Sequence, residues 1–343
     1  MRILIDAMGG DNAPGEIVRG GVDAAREFAV DVCLVGQEEK LLPILKEYGV
    51  SLPDEHISVV NASQIVEMED DPTSITRKKP DASMIVALRM LHEGKGDAVI
   101  SASSTGALLS AATLLVRRVR GIRRACFGPT LPNGGKGTLL LDCGANAECT
   151  PEYLLQFAYM GSFYAKELMG IADPRVGLLN IGVEETKGTE LQKEAYRLLS
   201  DAQAQGRLRF VGNVEAREAL SGDVDVLVTD GFSGNVLLKG IEGSAKMLMK
   251  ELKAVFYKNT KNKLAALALK KDMNGLKALF DTSEVGGTAL LGISKTVVKA
   301  HGNANARAIR SAVKQAISFT NANVIDSIEK NIQYMRITAN GGE

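Results

Sequence analysis

Six short apolar runs in this chain stop in the same way, and that shared ending limits the fold more than any other feature. They end in IDAMGGDNAPG, VISASSTGALL, LLDCGANAE, LLNIGVEETKGTEL, FVGNVEA and LVTDGFSGN, where β-branched or leucine-rich residues give way to glycine, hydroxyl and amide side chains. Apolar runs of this length bounded by glycine read as buried strands. Strand patterns fall at Arg2 to Ala7, Asp31 to Val35, His56 to Val60, Ala98 to Ser101, Gly137 to Asp142, Arg175 to Ile181, Leu208 to Val211 and Asp225 to Thr229. Helical periodicity lies between most of them, clearest at Ala82 to His92, Ala107 to Val116, Pro151 to Met169, Glu190 to Leu199 and Asn235 to Lys253. Such alternation predicts a Rossmann-like three-layer α/β/α fold with a mostly parallel sheet covered on both faces.

With no internal repeat or linker-like tract, residues 1–343 read as a single α/β domain with one excursion. That excursion is residues 258–287, where leucines and alanines are set among lysines and the strand-helix rhythm lapses. A long helical pattern returns from Ala304 to Met335. Lys plus Arg and Asp plus Glu number 41 each, so no global field draws the chain to nucleic acid. The four cysteines show neither CxxC nor metal spacing and read as reduced, which fits a cytoplasmic protein. The opening MRILIDAMGGD reads as a strand and loop rather than a signal peptide, and no run of apolar residues is long enough to span a bilayer.

In an open parallel sheet the loops after the strands share one edge, where ligands bind. Here their common chemistry is small residues, hydroxyls and amides with one lysine, Lys187, a set suited to phosphate held by backbone N–H, hydroxyl and amide donors. Other motifs fail residue by residue. GPTLPNGGKGT places Gly137 after Lys136, where a P-loop needs a hydroxyl for magnesium. No GxGxxG follows the first strand, and GFSGN is one residue short of a nucleophile elbow. His301, in HGN after the valine-rich strand Thr296 to Val298, is placed to reach the same edge.

Taken in order, IDAMGGDNAP, RKKPDASM, STGAL, GPTLP, LLDCGAN, GLLNIGVEETKG, FVGNVEAR, TDGFSGNVLLK and KAHGNA closely resemble the PlsX family, the phosphate acyltransferases of bacterial phospholipid synthesis. The resemblance covers nearly the whole chain. One departure is SASSTGA, where Ser103 stands at a position the family usually fills with glycine; a requirement there for positive φ or close approach would make serine costly.

The resemblance implies a fold related to phosphate acetyltransferases and to isocitrate and isopropylmalate dehydrogenases. It implies a homodimer, cytoplasmic and peripherally associated with the inner face of the cell membrane. The implied reaction moves a long-chain acyl group from acyl-carrier protein to inorganic phosphate, without cofactor or metal, and supplies a glycerol-3-phosphate acyltransferase. On the loops, Lys187, His301 and Asn235 are the expected catalytic residues. Gly9, Gly10, Ser101, Thr105, Gly106, Asn213, Asp230, Ser233 and Gly234 are the expected substrate-binding ones. Asp6 and Asp11 are expected to orient loop backbone, since a carboxylate repels phosphate. Leu264, Leu267, Leu269 and Phe280 in the excursion are the expected membrane contacts. The densest basic run, RRVRGIRR from Arg117 to Arg124, is a candidate dock for the acidic carrier.

Overall fold

The structure is a computed structural model that describes residues 1–279 and 286–335. Its strands are β1 (Arg2–Asp6), β2 (Asp31–Gly36), β3 (Ile57–Asn61), β4 (Ala98–Ser101), β5 (Cys126–Phe127), β6 (Thr130–Leu131), β7 (Thr138–Leu141), β8 (Arg175–Asn180), β9 (Arg209–Glu215), β10 (Val226–Val228), β11 (Gly287–Leu291) and β12 (Thr296–Ala300). They form two sheets where the sequence reading expects one. The first has the order β3-β2-β1-β4-β12-β11-β5 and the second β6-β7-β10-β8-β9.

The division arises in CFGPTL. β5 pairs with β11, β6 pairs with β7, and Gly128-Pro129 carries the chain across between them. Proline has no N–H for a ladder, and a Cβ on Gly128 would stand 2.9 Å from Leu141 Cδ2, so a continuous strand is blocked there. Within each sheet the pairs are parallel, apart from β11 with its two neighbours and β6 with β7.

Burial follows the pleat. Ile3 and Ile5 of β1 face a core shared with the helices Gly15–Phe28 and Ala306–Asn321. Leu4, between them, faces the opposite core with the helices Ser83–His92 and Thr105–Leu115. All three are fully buried, each contributing roughly 1.5–3 kcal/mol. In the second sheet Leu139, Leu141, Val226 and Val228 pack under the helix Pro151–Glu167. Leu140 and Leu227 face Leu237, Leu238 and Ile241 of the long helix Gly231–Tyr257.

Two expectations change in detail. The helical pattern from Ala304 to Met335 is three pieces, Ala306–Asn321, Val324–Lys330 and a short 3-10 turn Ile332–Met335. Asn323 takes a left-handed φ of 55° between the first two and ends the regular helix. In the excursion, Thr260–Ala268 and Lys270–Leu279 are helices, and Leu264, Leu267 and Leu269 are exposed. Phe280 lies outside the described residues.

Candidate active site

β1, β4 and β12 are neighbours and parallel, so their carboxyl ends, and the loops that follow, come together. Asp11 N–H donates to the Gly302 carbonyl at 2.8 Å, and the Asn12 amide donates to the carbonyls of Asn303 (3.0 Å) and Ala304 (3.2 Å). The loop after β1 is thereby bolted to the loop after β12. Gly10 makes this possible: it has φ +99°, and a Cβ there would meet the Gly302 carbonyl at 2.8 Å.

Beneath these loops sits Asp6, fully buried. Its carboxylate accepts from the hydroxyls of Ser83 (2.5 Å), Ser101 (2.6 Å) and Ser103 (2.9 Å), and from Met8 N–H at 3.3 Å. Ser101, expected to bind substrate, therefore turns its hydroxyl inward and serves as a brace. Ser103 resolves the family departure. Its φ is not in the left-handed region, and its hydroxyl joins the ring of donors around Asp6. The close approach falls on Gly9 instead, where a Cβ would lie 2.3 Å from Ser103 Oγ and 2.4 Å from Asp6 Oδ2.

The DGFSG turn is also satisfied internally. Asp230 caps the long helix, its carboxylate accepting from Ser233 N–H and Ser233 hydroxyl at 2.8 Å each. Gly234 N–H bonds the Asp230 carbonyl, and Gly231 N–H bonds the Asn146 carbonyl. The protein's own carboxylate thus occupies the place where an anion would sit at this helix N-terminus. Gly234 is a packing residue, since a Cβ would stand 2.0 Å from the Asp142 carbonyl oxygen. The neighbouring loop after β7 is organised by buried Asp142, which accepts from the N–H groups of Phe127, Cys143, Ala145 and Asn146 and from the Asn146 amide. Burial pushes its carboxyl up to about 6, against the pull of these donors.

Between the sheets lies a cleft of about 400 Å³. Of the expected residues, Thr105, Asn235 and His301 line it. Gly106, exposed in the first turn of Thr105–Leu115, stands beside Thr105. Gly9, Gly10, Ser101, Asp230, Ser233 and Gly234 shape the surrounding loops. Lys187, in the loop after β8, and Asn213, within β9, stand apart from the cleft: the Asn213 amide donates to the Glu184 carbonyl at 2.8 Å, and Lys187 is exposed.

Two cleft residues escaped the sequence reading, Lys299 and Lys239. Lys299 lies on β12 opposite Ser101 of β4, and its ammonium donates to the carbonyls of Ala102 and Ala300. Among the described residues no carboxylate is within ion-pair distance of it. Burial lowers it to about 8, with Asp6 and Asp11 pulling the other way. Both lysines had a signal. Lys299 is the next-to-last residue of β12, two before His301, and Lys239 is four residues after Asn235 on a helix.

The helix Thr105–Leu115 opens on the same cleft and has no side-chain cap, unlike the helix capped by Asp230. Its first-turn N–H groups have no partner within the helix. An uncapped helix N-terminus and a half-buried lysine on the adjacent strand form a setting for a small anion. The walls add apolar surface from Phe127, Pro129 and Leu238. Burial, then Lys239, lowers the His301 imidazole below its usual value, favouring the neutral ring.

Solved structures resemble the whole chain. A phosphotransacetylase from Streptococcus pyogenes matches with a TM-score of 0.62 at 17% identity, covering 95% of this chain and 94% of that one. A 4-hydroxythreonine-4-phosphate dehydrogenase from Klebsiella pneumoniae matches with a TM-score of 0.56 at 11% identity, covering 93% of this chain and 99% of that one. At these identities the likeness concerns the fold. Sequence relatives are much nearer. A protein of Oceanobacillus iheyensis named phosphate acyltransferase is 46% identical over 97% of this chain and 98% of its own length. One of Clostridioides difficile with the same name is 42% identical over 97% of this chain and 96% of its own length. The family model described as fatty acid synthesis protein matches residues 1–327, and with these relatives it shows that the chain belongs to that family.

Proposed function

We propose that the cleft transfers a long-chain fatty acyl group from the thioester of acyl-carrier protein to inorganic phosphate, and that the acyl phosphate goes on to acylate glycerol-3-phosphate in phospholipid synthesis. The observation that carries this reading is Lys299, a half-buried ammonium with no carboxylate at ion-pair distance among the described residues, on the strand beside an uncapped helix N-terminus. The name shared by relatives over nearly the whole chain supports the acyl-to-phosphate chemistry.

In this mechanism phosphate lies against the first turn of Thr105–Leu115 with Lys299 beside it. Near neutrality much of it is already the dianion, so no strong base is needed to make it a nucleophile. A phosphate oxygen forms the new C–O bond at the thioester carbonyl carbon. The C–S bond breaks, and the thiolate, whose conjugate acid has a pKa of roughly 8.5, leaves with the electron pair and takes its proton from solvent. Asn235 and His301 donate toward the carbonyl oxygen as it gains charge, while Lys187, expected to be catalytic, stands outside the cleft and takes no part in this mechanism. The protein's contribution is alignment and preorganised donors.

The product is amphiphilic, which fits a protein resting on a bilayer. No helix among the described residues is long and apolar enough to cross one. We place the enzyme in the cytoplasm, with the exposed leucines of the Thr260–Ala268 segment touching the inner face of the membrane, and working as a homodimer. The test is incubation with palmitoyl carrier protein and radiolabelled phosphate, then treatment with hydroxylamine. Label in a hydroxylamine-sensitive acyl product is expected; thioester cleavage indifferent to phosphate would refute the reading. Faster turnover of acetyl-coenzyme A than of the palmitoyl carrier would instead mark a short-chain enzyme.

A further inference from the structure

The cleft-facing side of the long helix Gly231–Tyr257 does not end at the cleft. Asn235, Leu238, Lys239 and Glu242 line the cavity, and all lie on one side of that helix. Lys246, Lys250 and Lys253 follow at intervals of seven, four and three residues from Lys239. At 100° per residue the four lysines fall within an arc of about 60°, on the side that faces the cleft, and extend about 21 Å outward. The opposite side is apolar and carries Leu237 and Ile241, which pack on the second sheet.

The stripe is a concentration of charge on a chain whose formal net charge is zero. Lys246, Lys250 and Lys253 are exposed, and no carboxylate pairs with them among the described residues. Glu242 is held by Lys239 at 2.8 Å. The Arg117 to Arg124 run, by contrast, is at the wrong end of the first sheet. Val119 N–H bonds the Gly292 carbonyl, and Arg118 bridges Ile293, both in the turn between β11 and β12 that precedes β12. Lys299 and His301 stand at the other end of that strand. Several of these arginines are already engaged, Arg123 with Glu152 and Arg124 over the Tyr153 ring.

We infer that the lysine stripe Lys246-Lys250-Lys253 is the docking surface for the acidic carrier protein that delivers the acyl thioester. The inference rests on the reading above that a carrier is the donor. An acidic helix laid along this stripe meets complementary charge over its length, with Lys239 and the cleft at one end to receive the acyl-bearing arm. An anionic bilayer would also be drawn to lysines. The carrier is the better fit because the stripe runs directly from the reacting cleft, while the exposed leucines lie beyond its far end.

The test compares two donors in the full-length protein: the palmitoyl carrier protein and a palmitoyl thioester of a small thiol. The triple variant Lys246→Glu, Lys250→Glu, Lys253→Glu should raise KM for the carrier donor about tenfold or more, leave its kcat within about twofold, and leave the small donor unchanged. The salt dependence of carrier KM should flatten. The triple arginine variant should restore carrier KM, a recovery that a folding defect in the glutamate variant would not oppose. Equal losses with both donors, or unchanged carrier KM with lost binding to vesicles of phosphatidylglycerol, would overturn the assignment. A parent enzyme that uses the small thioester but not the carrier would instead sink the donor reading itself.

Discussion

Lys299 and Ser101 face each other across the parallel β4–β12 pair, yet they do opposite things. Ser101 sends its hydroxyl down to Asp6 at 2.6 Å, whereas Lys299 reaches the cleft. The first braces the rim and the second carries its charge. Substituting each should therefore give different defects. Lys299→Met should lower phosphate-dependent transfer by about 10²-fold or more, as loss of a preorganised donor does. Its stability at neutral pH should rise by about 1–2 kcal/mol, because a half-buried charge is removed and some solvent screening remains. Activity within a few fold of the parent would take Lys299 out of the mechanism.

The same lysine sets a pH dependence. Folding lowers it from 10.5 to about 8, so the folded state binds its proton less well than the unfolded chain. The penalty is present in full below about pH 8 and fades as pH rises toward 10.5. The stability gain of Lys299→Met over the parent should shrink across that window in paired urea titrations. Phosphate KM should rise over the same alkaline range as the ammonium is lost, with a midpoint at or above 8 because bound anion holds the proton. A flat KM from pH 7 to 10, with folding intact, would contradict this.

Ser103 and Gly9 should behave as a packed pair. Ser103→Gly removes a donor to a buried carboxylate and adds backbone freedom, so it should cost about 1–2 kcal/mol rather than relieve strain. Gly9→Ala should be worse, since the new methyl meets both Ser103 Oγ and Asp6 Oδ2 inside contact distance. Thermal unfolding of both variants checks the order; a stabilised Ser103→Gly would mean that serine is tolerated rather than used.

Ser233 and Asp230 should be structural. Asp230→Ala removes a helix cap and should destabilise by about 1 kcal/mol. Ser233→Ala should leave phosphate KM within about twofold, because its hydroxyl is already bonded to Asp230. A tenfold rise in KM for Ser233→Ala would return phosphate to the DGFSG turn.

Leu267 tests the membrane face. It is 67% exposed in the helix Thr260–Ala268, which buries no residue and belongs to no core cluster. Leu267→Glu should abolish co-sedimentation with vesicles while keeping activity on a dissolved thioester, and undiminished sedimentation would remove this segment from the interface.

The strands and helices were legible because period and glycine boundaries carry them, and the eight strands read from pattern all lie at their expected places. β5, β6 and β11 were not: two-residue strands have no period, and GTALL of β11 begins where the excursion read from the sequence ends, at Gly287. The second sheet stayed hidden with them, because only Gly128-Pro129 marks the crossing. The rim was legible as a set of loops, but not which side chains face outward. Ser101, Ser103 and Ser233 look like phosphate ligands by type, and each bonds a carboxylate within the chain instead. Lys299 looked like an ordinary strand residue although it lies two residues before His301 and lines the same cleft. Which hydroxyl turns inward depends on the buried carboxylate beneath it, and that is a long-range contact.

The position of bound phosphate tests the central claim most directly. A crystal grown with orthophosphate should show the ion between the first turn of Thr105–Leu115 and the Lys299 ammonium, within hydrogen-bond distance of both. Phosphate seated on the Asp230-Ser233 turn, with the cleft beside Lys299 empty, would contradict the account.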